Sequence, residues 1–124
     1  MNAPPQSPFL IVLTTLPDPA SAQALAAALI EDGLAACVNV LAPCTSVYRW
    51  QGKVETAIET PLLIKTATAA YPALEAAIRA RHPYELPEIV AVPVERGLPA
   101  YLAWVHANAT RSQPDPASSD PSAE

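Results

Sequence analysis

Glycine is scarce in this chain: Gly33, Gly52 and Gly97 are the only three in 124 residues. None of them sets up the glycine-rich turn that cradles a nucleotide phosphate. Basic residues are few as well. Seven Lys and Arg stand against twelve Asp and Glu, for a net charge of −5, and they are spread along the chain. That leaves no basic footprint for nucleic acid. Two cysteines, Cys37 and Cys44, do not build a disulfide framework. There is no charged-then-apolar leader and no apolar run near the ~18 residues of a membrane span. The expectation is a soluble, non-secreted, cytoplasmic protein with no nucleic-acid and no membrane partner. Nor is there a Ser-His-Asp order with a nucleophile elbow, or any other nucleophile–base pair, so no catalytic residue is assigned and no enzyme is expected.

Charge is low too. Asp, Glu, Lys and Arg make up 15% of the chain, below the usual quarter or so, which hints that part of the surface does not face solvent. What is abundant is Ala and Pro. Ala supplies 25 of the residues behind the 51% hydrophobic fraction, so the core is less greasy than that figure suggests.

The most organised stretch runs from Ala35 to Thr66 and has the pattern of one very long β-hairpin. Gln51-Gly52 is a two-residue connection with glycine where a left-handed backbone is wanted. Pro43 and Pro61 fall almost opposite each other, and each deletes a ladder donor, which predicts an interruption on both strands. The inner part, 35–41 with 62–66, is nearly all apolar. The outer arm alternates, with Val47, Val54, Thr56 and Ile58 on one face and Tyr48, Trp50, Lys53 and Glu55 on the other. A lone two-stranded ribbon is barely stable in water, so the arm needs something to lie against.

Around the hairpin, residues 9–15 form a first strand, and Asp18-Pro19 opens a helix ending at Gly33 with Ala22, Leu25, Ala26, Leu29 and Ile30 on its apolar face. A second helix starts near Tyr71 and buries Leu74, Ala77 and Ile78. It must end at His82, because Pro83 forbids continuation. Residues 88–94 predict a strand that Pro93 places at an edge. Leu98-Pro99 opens a third helix with Leu98, Tyr101, Leu102 and Val105 on one side. Residues 1–8 and 110–124 have nothing to bury and are expected to be disordered, leaving one domain over 9–109.

The order strand, helix, strand, strand, helix, strand, plus a final helix, predicts an α+β, ferredoxin-like split βαβ sandwich (βαββαβ). Two helices roof only one face of such a sheet, yet its strands are apolar on both. Burying an aliphatic side chain is worth roughly 1.5–3 kcal/mol, so several left wet would consume much of a stability of about 5–15 kcal/mol. The bare face and the arm are therefore expected to be covered by copies of the same protein.

Four segments sharpen this: Leu34 to Val40, Thr45 to Lys53, His82-Pro83-Tyr84-Glu85-Leu86-Pro87-Glu88, and Pro93-Val94 through Gly97 and Tyr101-Leu102 to Trp104. In order and spacing they resemble the CutA family, the divalent-cation-tolerance proteins. The resemblance implies a tight homotrimer with long hairpins packed between subunits, an architecture similar to the PII signal proteins, and no established reaction. It implies one cofactor, a divalent metal such as copper, with His82 as the candidate ligand. Copper-binding relatives, however, place Cys where this chain has Thr14 and His where it has Arg81. Trp50, Lys65, Tyr84 and Glu88 are candidates for an inter-subunit cleft. Cys37 is a possible reactive thiol, against which stands its packing in the apolar inner strand. Glu55, Glu59, Glu85, Glu88 and Glu95 fit a solvated strand face and rim more simply than acid–base work. Two functions follow: a trimeric metal-tolerance protein that responds to metal ions, or a PII-like module that binds a small effector between subunits and signals to a protein partner.

Overall fold

A computed structural model of the chain describes residues 7–109. Most of the two ends expected to be disordered, residues 1–6 and 110–124, lie outside the described residues. Ser7 and Pro8 lie inside and are tied down. The Ser7 hydroxyl donates to the Val94 carbonyl at 2.7 Å, and the Pro8 carbonyl accepts from the Thr68 N–H at 2.8 Å.

Five strands and three helices follow, the expected order with the first strand of the long hairpin divided in two: β1 (Phe9–Leu16), α1 (Pro19–Glu31), β2 (Cys37–Val40), β3 (Cys44–Trp50), β4 (Lys53–Ala67), α2 (Tyr71–Arg81), β5 (Val90–Pro93) and α3 (Pro99–Asn108). One 3-10 turn, Thr68–Ala70, leads into α2. The sheet runs β2-β4-β1-β5, antiparallel throughout, and β3 pairs with the outer half of β4 to make the arm.

Local chemistry sets the boundaries. The Asp18 carboxylate accepts from the Ser21 N–H at 2.8 Å, with Pro19 at the first position of α1. At its other end Gly33 takes φ +71, and the Leu34 N–H closes back on the Leu29 carbonyl at 3.0 Å. Ala22, Leu25, Ala26 and Leu29 are buried as the spacing predicts, but Ile30 is exposed. It sits one residue, about 100°, round from Leu29 in the last turn, past the edge of the stripe. α2 stops where Pro83 requires, and His82 adopts the extended φ −82, ψ 134 of a pre-proline residue. The arm turns on Gln51 (φ +50) and Gly52 (φ +81), the two left-handed residues of a tight hairpin turn whose twist matches its strands.

The double interruption expected at Pro43 and Pro61 is single. β2 meets β4 as Val40 with Leu62, and β3 meets it as Cys44 with Glu59. Leu41, Ala42 and Pro43 therefore oppose only Thr60 and Pro61, a one-residue bulge. β4 runs through without a break. The Pro61 carbonyl accepts from the Leu41 N–H at 3.0 Å, so its missing donor points at the bulged strand, and the β1 side of the ladder loses nothing.

Val12, Leu16, Leu62 and Ile64 on one sheet face meet Leu25, Leu29, Leu74 and Ile78 from α1 and α2, and all eight are buried. On the other face α3 covers one end only, where Val105 and Ala109 pack with Ala36 and Phe9. Contrary to the expected stripe, Leu98 and Tyr101 on α3 are exposed, because the helix meets the sheet through its second half. Ile11, Leu13 and Leu63 on this face are partly exposed, and Val90 and Val92 are exposed. β5 is shorter than the expected 88–94 and has a neighbour on one side only, so its residues lie open.

Candidate functional site

β1 outlasts its neighbour β5, whose pairing ends at Leu13 with Val90. The free edge beyond is taken by His82. Its Nε2 lies 2.6 Å from the Thr15 carbonyl, and its Nδ1 accepts the Tyr84 N–H at 3.2 Å. An Nδ1 that accepts leaves Nε2 as the protonated nitrogen, so the ring is a neutral clip between the strand edge and the 82–84 connector. The clip sets Tyr84 against the His82 ring, with centroids 4.7 Å apart, and brings its hydroxyl to Glu59. Glu59 also accepts from the Thr15 hydroxyl at 3.1 Å.

Glu59 is 9% exposed. The sequence placed it on a solvated rim, and the structure buries it instead. It shares the sheet face of Thr15 at the root of the arm, where the bulge and the connector close round it. Sequence reasoning missed it as a site residue. The available signal was its position two residues before Pro61, where the long hairpin has to change partners.

Tyr84 feels this environment. Burial first, then the hydrogen bond to Glu59 and the negative fields of Glu59, Tyr48 and Asp18, push its phenol up to about 12. The folded chain thus holds the Tyr84 proton more tightly than the unfolded chain, whose tyrosine titrates near 10. The associated stability is complete below pH 10 and is lost as pH climbs through about 12. Denaturant midpoints measured from pH 9 to 12 should fall less steeply for Tyr84→Phe than for the parent protein, and equal slopes would contradict the assignment. Tyr71, raised by burial and by Glu75, remains in both proteins and supplies the residual slope.

Of the residues expected to form a cleft, one chain brings together only His82 and Tyr84. Trp50 is at the arm tip, six β4 positions beyond Glu59 through its partner Lys53, or about 20 Å at the usual rise. Lys65 lies six positions the other way, opposite Ile11, with its Nζ 5.9 Å over the Tyr101 ring. Glu88 is exposed just before β5. Cys37 is half-buried on the open face rather than enclosed, and Cys44 is exposed with its Sγ 3.9 Å from the Ser46 hydroxyl.

This framework has close counterparts among known proteins. The family model described as CutA1 divalent ion tolerance protein matches residues 10–108. The chain belongs to the CutA1 family. It is 48% identical over 98 residues to the divalent-cation tolerance protein CutA of Thermus thermophilus, covering 79% of this chain and 95% of that one. The solved structure of the Thermus thermophilus protein superposes with a TM-score of 0.80 at 46% identity, over 82% of this chain and 98% of that chain. CutA1 from a psychrotrophic Shewanella species gives 0.83 at 38% identity, over 86% and 99%.

The family's name raises the question of a divalent cation. Within this one CutA1 chain the donors do not fit one. His82 spends its single lone pair on the Tyr84 N–H. The Thr14 hydroxyl, although buried and without a partner among the described residues, is a poor ligand for a soft metal. No group of three or more His, Cys, Asp or Glu that could hold a metal occurs among the described residues. No helix among them is long and apolar enough to cross a membrane.

Proposed function

We infer that this protein is a non-enzymatic, cytoplasmic divalent-cation-tolerance protein that works as a homotrimer of ferredoxin-like subunits. Family membership supports the function class. The observation that carries the assembly is the arm, where Val47 and Val54 are each 66% exposed and Ile58 62%. Three large aliphatic side chains on one face of a protruding ribbon form an apolar surface that water alone does not stabilise. Neighbouring copies, one along the arm and one across Leu13, Val90 and Val92 on the opposite face of β4, would cover both. Trp50 and Lys65, far from Tyr84 within one chain, would be brought to it from neighbouring subunits. Light scattering at micromolar concentration should give three times the mass of the chain, and a folded monomer would overturn the reading.

The response to metal ions is assigned to the assembly and not to a copper site on one subunit. Calorimetric titrations of the parent protein and of His82→Ala with Cu(II) should superimpose, since the ring offers no free lone pair. Heat lost in the variant would restore His82 as a ligand. A second reading, a PII-like module with a small effector between subunits, is favoured by one feature: the buried carboxylate and half-buried phenol of Glu59 and Tyr84 lie on the face that copies would cover.

A further inference from the structure

Glu59 is a buried carboxyl group with an incomplete set of partners. A carboxylate has about four acceptor positions. The Thr15 hydroxyl fills one at 3.1 Å, and the Tyr84 phenol is a second neutral neighbour. Among the described residues no ammonium or guanidinium pairs with it. The other carboxylate felt at this spot has the same sign, since Asp18 adds to the negative field on Tyr84. His82 supplies no charge, because the two hydrogen bonds it makes require the neutral ring. A desolvated carboxylate left this way is strongly destabilising, and a positive ligand removes that cost.

The surroundings select the kind of cation. Beyond Glu59 the pocket offers only two neutral hydroxyl oxygens, from Thr15 and Tyr84, whereas a hard divalent ion wants six or more oxygens. Tyr48, on the same arm face as Glu59, and the Tyr84–His82 pair supply aromatic walls. A cation carrying N–H donors gains from such rings as well as from the carboxylate. We propose that the pocket of Glu59, Thr15 and Tyr84 at the root of the arm binds an organic cation, an alkylammonium or guanidinium group. The group comes either from a basic side chain of a neighbouring copy, which rests on the assembly inferred above, or from a diffusible amine, which does not.

The test is a sign. Gln at position 59 keeps the shape and a carbonyl for the two hydroxyls but removes the charge. If a cation is bound, Glu59→Gln lowers the thermal midpoint of the full-length protein by about 5 °C or more. If the carboxylate is unpaired, the midpoint is unchanged or rises, and the proposal fails. Putrescine and agmatine, titrated into dialysed protein, distinguish the source. A midpoint that rises for the parent and not for Glu59→Gln identifies a diffusible amine. With no such rise, a double-mutant cycle pairing Glu59→Gln with Met at each Lys and Arg in turn should find one strongly coupled position, the neighbour's cation. Neither response, or a Zn(II) or Cu(II) shift abolished by Glu59→Gln, overturns the organic cation. Should Glu59→Gln fail to fold, Glu59→Asp takes its place; the charge, drawn back by one methylene, should weaken the amine shift or the coupling, and full retention of both counts against the site. Molar mass measured on the same samples keeps a failure of the assembly distinct from a failure of the pocket.

Discussion

Val47→Asp combined with Ile58→Asp should convert the protein to a folded monomer, with a light-scattering mass of 13.1 kDa at micromolar concentration. Both side chains lie on the outer face of the arm, about two-thirds exposed in the single chain, and neither belongs to the core under α1 and α2. Their replacement removes only cross-strand contacts with Thr56 and Thr45 on the arm. Covering an aliphatic side chain contributes roughly 1.5–3 kcal/mol, whereas covering an unpaired carboxylate costs several kcal/mol (order of magnitude). In the proposed homotrimer the swing would recur in every copy. Circular dichroism of the variant should keep the parent's strand and helix signal. An unchanged mass would show that the arm face is not where subunits meet.

Much of this was legible in the sequence because it depends on local chemistry. Asp18, Gly33 and Pro83 each set a helix boundary through one residue's backbone preference, and each boundary is where that preference puts it. The arm's alternation and its Gln51-Gly52 turn are equally local. The difficulties came where a second strand decides the outcome. Pro61 has the same chemistry as Pro43, but it loses only a donor that faces the bulge, a fact of register no single segment carries. β5 is apolar in sequence yet open in the chain, because its position at the sheet edge is set by β1.

The site was harder for the same reason. His82 and Tyr84 could be singled out from the connector, since a histidine before proline at a helix end is conspicuous. That both ring nitrogens are occupied depends on the stub of β1 past β5, which only the strand pairing reveals. Glu59 has the pattern of one more charged residue on an alternating strand, and its burial follows from the connector folding across it. Long-range closure of this kind leaves almost no trace in periodicity.

His82→Ala should destabilise the folded chain and free Tyr84 at the same time. The change strands the Thr15 carbonyl and the Tyr84 N–H, which now meet on one ring. Each buried group left unpaired costs about 1–3 kcal/mol. Tyr84 is only half-buried and water can reach its N–H, so a total near the lower end, about 2–3 kcal/mol, is expected. A simple loss of packing would also lower stability, so the discriminating readout is the phenol. With the clip gone, the connector no longer presses the Tyr84 hydroxyl onto Glu59, and its titration should fall from about 12 toward the ordinary value near 10. Ultraviolet difference titration of His82→Ala, with Tyr84→Phe in the same background to assign the step, measures this directly. A variant that loses stability while its highest-titrating tyrosine stays put would mean that Tyr84 is held at Glu59 by something other than the histidine. In that case the pocket at the root of the arm would be built by the sheet and the arm alone.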